Sequence, residues 1–297
     1  CPVNGDIAEW NGRARARDFR GAWEILTHHN PFPAVAGRIC HHPCEAACNR
    51  LELDGAISIH GVERFLGDLA IEHGGPSVAA AGLIGLQIAV RAVLAFGGYF
   101  YWDDLVIVGR AGTQPLLSTA YLFTDHDGHV MPAAFLIGGT ITRLAPLVWV
   151  WPAVSLLVLQ LVASLALLRT LHIVLGWRPV LLLPLCFALF TPLTVPAFAW
   201  WAAALNYLPM LAALAWVCGD AVLLVRTGQR RYAVTGMSAY FAGLLFFEKS
   251  AVIPFVAFTV VALLSWVSGR TGALGWVWRR GRRLWVPALA LTAAWVG

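Results

Sequence analysis

The segment IEHGGPSVAAAGLIGLQIAV, residues 71–90, decides the fold. Upstream of its Gly74-Gly75-Pro76 the chain is polar and rich in cysteine; downstream it is almost continuously apolar. Ten of the 16 acidic residues precede position 76, and of the six that follow, Asp103, Asp104, Asp125 and Asp127 crowd into one short connection. With 59% hydrophobic and 12% charged residues over 297 positions, the composition excludes an ordinary soluble domain. The net charge of +5 is carried by arginine apart from Lys249, an excess that in a membrane protein reports orientation. No pattern of basic residues interleaved with aromatics is present, so no nucleic-acid partner is expected. The chain starts at Cys1 and stops inside an apolar run, and so reads as a fragment truncated at both ends, in which a missing signal peptide is uninformative.

Cysteines stand at 1, 40, 44, 48, 186 and 218. Cys186 and Cys218 lie alone in apolar segments, where a buried thiol behaves as a small hydrophobe. The others differ. Cys40, Cys44 and Cys48 form C-x3-C-x3-C within GRICHHPCEAACNR, and the i, i+4 spacing predicts that a short helix would put Cys44 and Cys48 on one face. Thiolates gathered in this way bind zinc or an iron–sulfur cluster. Disulfides fit poorly, because the arginine-rich loops place this half in the reducing cytosol. His41 and His42 read as loop histidines packed near a cluster, and Arg13, Arg15, Arg17 and Arg20 as a solvated helix face.

The order CPV, DIAEW, NPFPAVAGRICHHPCEAACNR and AISIHGVERFLGDLAI over residues 1 to about 73 resembles the N-terminal iron–sulfur domain of glutamate synthase small subunits. It is equally similar to the corresponding domain of dihydropyrimidine dehydrogenase. The resemblance implies a small helical domain with two [4Fe-4S] clusters that pass electrons between a flavin and a partner oxidoreductase. It implies Cys1, Cys40 and Cys44 as ligands of one cluster, with Glu63 in the place of the non-cysteine fourth ligand. Cys48 belongs to the second cluster, whose other ligands lie upstream of Cys1. In that family a flavin-binding G-x-G-x-x-G turn follows near residues 80–95; here a hydrophobic helix runs through those positions.

Apolar segments follow at Ser77–Tyr99, Pro152–Leu168, Pro179–Phe198, Ala203–Val225, Ala233–Phe247, Ala251–Val267 and Leu284 onward. Most approach the roughly 20 residues that a spanning helix needs, which predicts about seven spans. Arginines flank alternate connections, at Arg169/Arg178, Arg226/Arg230/Arg231 and Arg270/Arg279/Arg280/Arg282/Arg283. That places those connections and the N-terminal domain in the cytoplasm of a multi-pass plasma-membrane protein, and the connection Phe100–Trp151 outside. Ala133–Trp151, interrupted by Arg143 and Pro146, reads as a helix lying in the interface. The fold expected is all-α: an iron–sulfur domain over 1–75, then a polytopic membrane domain over 76–297.

The Phe100–Trp151 connection opens YFYWDDLVIVGRAG and continues YLFTDHDGHVMPAAF. Carboxylates just beyond a membrane exit face water, a cation or a polar substrate. With WWAAALN and LLFFEK downstream, residues 78–297 resemble polytopic GT-C glycosyltransferases, which carry an acidic pair in the first extracytoplasmic loop. The resemblance implies sugar transfer from a polyprenyl-phosphate donor, with Asp103 or Asp104 as general base. His126, Asp127 and His129 would hold a divalent metal or the donor phosphate. Glu248 and Lys249 would meet the phosphate or pair with each other; the pair is the expectation. Arg91 is assigned no site role, and Asp220 a structural one. Three functions remain open: a membrane glycosyltransferase, an electron-transfer module of a flavin oxidoreductase, and a non-enzymatic membrane protein or transporter. The Gly74–Pro76 junction, where a flavin domain would begin, reads as a seam between two gene pieces.

Overall fold

The computed structural model describes residues 5–296, without the side chains at 73, 75 and 296. Among the described residues no strand forms, and the one extended pairing is an isolated bridge between His126 and His129. Contacts divide the chain into two units, residues 1–79 with 177–179 and residues 80–176 with 180–297.

In the first unit α1 (Ile7–Arg15) packs on α2 (Phe19–His29). Asp18 caps α2 by accepting the Gly21 N–H at 3.0 Å. Helices α3 (Pro33–Ile39) and α4 (Pro43–Ala46) each begin on proline, whose missing N–H costs nothing at a helix start. The long α5 (Ile59–Phe96) follows. Trp10, Ala22, Leu26, Ile59 and Leu66 make the core, and Cys44 packs against it. Helix α3 lies hard against the first turns of α5 along its length. A Cβ on Gly37 would come within 2.7 Å of the Arg64 nitrogen, and one on Gly67 within 2.2 Å of the Ala34 nitrogen. Arg13 pairs with Asp18 and Arg20 with Glu24, all exposed, as a solvated face requires. Pro76 falls inside α5, where Ser77 Oγ donates to the Gly74 carbonyl at 2.8 Å. The compositional break therefore lies within a helix and not in a linker.

The second unit contains α6 (Asp103–Thr113), α7 (Thr119–Leu122), α8 (Pro132–Leu144), α9 (Val150–Leu175), α10 (Leu182–Phe190) and α11 (Val195–Ala199). These precede α12 (Trp201–Thr227), α13 (Arg230–Phe246), α14 (Ile253–Val267) and α15 (Ala273–Val296). Helix α12 is central, packed on α9, α13, α14 and α15. Its first half joins Ile107, Phe135 and Leu156 around Trp201 and Leu205. Its second half meets Tyr240, Leu244, Val261 and Trp285.

Five stretches are long and apolar enough to cross a membrane, judged by length and composition: Ile59–Phe96, Val150–Leu175, Pro179–Ala199, Trp201–Thr227 and Glu248–Val267. The expected seven are thus corrected to five among the described residues. Helix α13 has only 17 residues, about 25 Å against the roughly 30 Å of a hydrocarbon core. Helix α15 spends its first half on Arg279, Arg280, Arg282 and Arg283. Within Pro179–Ala199 the helix breaks at Thr191, forced out of helical geometry by Pro192. At 13 residues, α8 is also too short to cross, and it packs on α6.

One further expectation changes, at Cys186. Cys218 is buried, but Cys186 is exposed on α10. Arg91, 4% exposed, neither reaches water nor meets a carboxylate; it bonds the Thr194 carbonyl and hydroxyl and lies 4.5 Å above the Phe198 ring.

Candidate functional sites

The N-terminal thiols occupy a corner built by two prolines. Cys40 ends α3 in extended geometry, and His42, at φ +54°, turns the chain into α4. Cys44 sits on α4, but the helix ends at Ala46, so Cys48 lies just beyond it and the single helix expected to carry both is corrected. All three are free thiols; Cys40 is exposed and the other two partly buried. The Cys48 sulfur accepts the backbone N–H groups of Ile57 and Arg50, which lowers its thiol pKa and favours the thiolate that binds iron. Glu63, on α5, takes a 2.5 Å hydrogen bond on Oε1 from Asn30 Nδ2. His60 is fixed by Glu45 Oε1, which accepts its backbone N–H at 2.9 Å and faces its Nδ1 at 2.7 Å. His42 stacks on the His60 ring at 4.1 Å, a packing role. Cys1 lies outside the described residues.

Among the described residues, no three of these thiols and Glu63 lie close enough to share one ion. Three free cysteines gathered at one corner, with Cys48 held toward its thiolate, are donors of the kind an iron–sulfur cluster takes.

The acidic pair opens α6, where neighbouring positions point about 100° apart, and the two carboxylates part. Asp104 is fully buried. Its Oδ2 accepts the Tyr101 N–H at 3.0 Å and its Oδ1 the Ala202 N–H at 2.7 Å, tying α6 to the start of α12. Desolvation, opposed by those two bonds, pushes its carboxyl up to about 6. Asp103 is partly exposed, with its Oδ1 3.8 Å from His126 Nε2. That is beyond hydrogen-bond reach.

Residues 126–129 make a two-residue hairpin. His126 and His129 exchange both backbone hydrogen bonds at 3.0 Å, and Asp127 (φ +54°) and Gly128 (φ +82°) take the two left-handed positions. Asp-Gly is the preferred pair for such a turn. Asp125 holds it by accepting the Gly128 N–H at 2.7 Å. His126 is 8% exposed, and its Nε2 has no hydrogen-bond partner. Asp103, His126 and Asp127 present ligand atoms within 4.8 Å of one another.

His129 lies apart from that group. Its Nδ1 is 2.6 Å from Glu248 Oε1, across 119 residues of sequence, and its ring meets Phe247 edge-on. Glu248 thus pairs with His129 and not with Lys249, whose Nζ stands 5.0 Å over the Phe247 ring. Sequence reasoning singled out the acidic and histidine positions but missed the amides of Tyr101 and Ala202 that consume Asp104. The available signal was the Asp-Gly pair, which fixes a tight turn and pairs the backbones of the two histidines.

Residues 1–75 match the family of dihydropyrimidine dehydrogenase domain II, 4Fe-4S cluster. The glutamate synthase [NADPH] small chain of Bacillus subtilis is 38% identical over 74 residues, 25% of this chain and 15% of that one. The NADP(+)-dependent formate dehydrogenase subunit beta of Moorella thermoacetica is 30% identical over 82 residues, 28% of this chain and 12% of the relative. The NADPH-Fe(3+) oxidoreductase subunit beta of Geobacter sulfurreducens is 32% identical over 73 residues, 25% and 11% of the two chains. The chain thus spans no more than 15% of the length of these relatives. No solved structure matches. The N-terminal quarter of the chain carries a 4Fe-4S cluster domain like those of glutamate synthase small chains and related oxidoreductase subunits.

Proposed function

We propose that residues 1–75 serve as an electron relay attached to a membrane-embedded helical unit, exchanging electrons with a flavoprotein or other oxidoreductase partner. The relatives named for NADPH, formate and Fe(3+) are oxidoreductase subunits, which supports a partner of that kind. The observation that carries the reading is the α3–α4 corner, where Cys40, Cys44 and Cys48 stand as free thiols. In this reading Cys40 and Cys44, with Cys1 and Glu63, hold one cluster, and Cys48 serves a second. A bound cluster supplies single-electron transfer. Cys48 is held ready by its two amide donors, and Asn30 fixes the Glu63 carboxylate.

The test uses the full chain in detergent, reconstituted anaerobically with iron and sulfide. Expected are a broad visible sulfur-to-iron absorption and a paramagnetic signal on reduction. Both should vanish in Cys40→Ser/Cys44→Ser and persist in Cys186→Ser. A folded wild-type chain that takes up no iron would sink the reading.

A second reading concerns the membrane unit, and the partly exposed Asp103 beside His126 and Asp127 favours it. The unit would transfer a sugar from a polyprenyl-phosphate donor at the extracytoplasmic face of the plasma membrane, with the N-terminal domain in the cytoplasm. Asp103 would act as base and the buried Asp104 as a positioning residue. His126, Asp127, His129, Glu248 and Lys249 would face the donor. Full chain in proteoliposomes should transfer sugar to an acceptor and lose that activity in Asp103→Asn; undiminished transfer by the variant removes the base.

A further inference from the structure

We propose that Asp103, His126 and Asp127 form a binding site for a first-row divalent cation, of the Mn2+ or Zn2+ class. The site draws on two elements, the N-terminus of α6 and the tight turn at 126–129.

The buried imidazole carries the argument. His126 is more than nine-tenths buried, and its Nε2 has no hydrogen-bond partner. A buried polar nitrogen left unpaired costs free energy, and this one is aimed at a carboxylate without reaching it. The 3.8 Å gap to Asp103 Oδ1 is too long for a hydrogen bond and close to what an intervening ion fills. A cation about 2.1 Å from each donor bridges atoms up to about 4.2 Å apart. The three donors lie within 4.8 Å of one another, so a shift of the exposed Asp127 side chain closes the site.

The rest of the loop holds this geometry. The two backbone bonds between His126 and His129 fix the turn, Asp125 caps it, and the Phe135 ring meets the His126 imidazole edge-on at 6.0 Å. Asp104 anchors the start of α6. One imidazole and two carboxylates suit manganese or zinc better than an all-oxygen calcium or magnesium site. Three protein ligands leave positions open for a phosphate or hydroxyl oxygen. A cation would also explain how two carboxylates can face an anionic group at all. The inference holds whichever reaction the membrane unit performs.

The test takes the full chain in detergent with Cys40, Cys44 and Cys48 changed to Ser, so that thiols do not compete. Failure here leaves the iron–sulfur reading untouched. After chelation, Mn2+ is titrated by calorimetry and by electron paramagnetic resonance. One Mn2+ per chain should bind, with nitrogen coupling from the imidazole that disappears in His126→Gln. Asp127→Asn suits the left-handed turn position and keeps the loop folded. It should weaken binding more than about 100-fold, beyond the cost of losing a supporting contact, whereas Asp125→Asn should stay within about twofold. Substoichiometric binding, absent nitrogen coupling, or equal losses in Asp125→Asn and Asp127→Asn would each overturn the site.

Discussion

Each unit of the molecule contains an arginine–aspartate pair between two helices, and the two pairs behave differently. In the N-terminal unit Arg38 grips Asp68 with two bonds, at 2.8 and 2.9 Å, and both side chains remain more than two-fifths exposed. In the second unit Arg169 meets a fully buried Asp220 at 2.5 Å, and Asp220 also accepts from Thr235 on α13 at 2.6 Å. The Arg169 guanidinium lies 4.2 Å above the Trp216 ring. Water can replace either partner of the first pair, but in the second Asp220 is fully buried and Arg169 only partly exposed. The same contrast runs through all the acids. Those of the first unit lie mainly on solvated faces. Each of the six beyond residue 76 meets a specific group. Asp103 faces His126, Asp104 accepts from two amides, and Asp125 caps the turn. Asp127 joins the His126 cluster, Asp220 holds the arginine, and Glu248 pairs with His129.

The contrast can be broken by substitution. Asp220→Ala leaves the partly exposed Arg169 without its buried carboxylate and should cost about 3 kcal/mol in reversible unfolding from mixed micelles. A loss near zero would erase the distinction between the two pairs. Asp104→Ala should come next, at about 2–3 kcal/mol, because two buried amides lose their acceptor. The Asp104 carboxyl also sharpens the comparison through pH. Its folded pKa of about 6 lies above the ordinary value of 3.8, so the folded state holds the proton more tightly than the unfolded chain does. Its contribution is complete below about pH 4 and lost as pH rises through about 6. The stability of Asp104→Asn, relative to wild type, should lack that decline; an unchanged slope between those values would refute it. The smallest effect belongs to Arg38→Ala, whose unfolding midpoint should match that of wild type within error at low and high salt alike.

Much of this was legible in the sequence, for reasons that also set its limits. The change of solvent at Gly74–Pro76 and the C-x3-C-x3-C run are local patterns, and local patterns survive folding. Segment lengths were less secure. Ala233–Phe247 is apolar enough to resemble a span but is the short one of the set, and its helix has only 17 residues. Long-range partners were invisible. Glu248 beside Lys249 suggests a neighbouring ion pair, yet its true partner is His129, brought near only by the fold. Asp103 and Asp104 read as equivalent until helix geometry turned one inward. The two glycines that seat α3 on α5 carry no pattern at all, since close approach between helices shows only in three dimensions.

A two-residue turn has no slack. His129 is tied to Glu248, which heads the membrane-length stretch Glu248–Val267, and His126 is locked to His129 by two backbone bonds. Asp103 belongs to a different element, the start of α6. The distance between the His126 imidazole and the Asp103 carboxylate is therefore set jointly by two places far apart in sequence, the head of the Glu248–Val267 stretch and the first turn of α6.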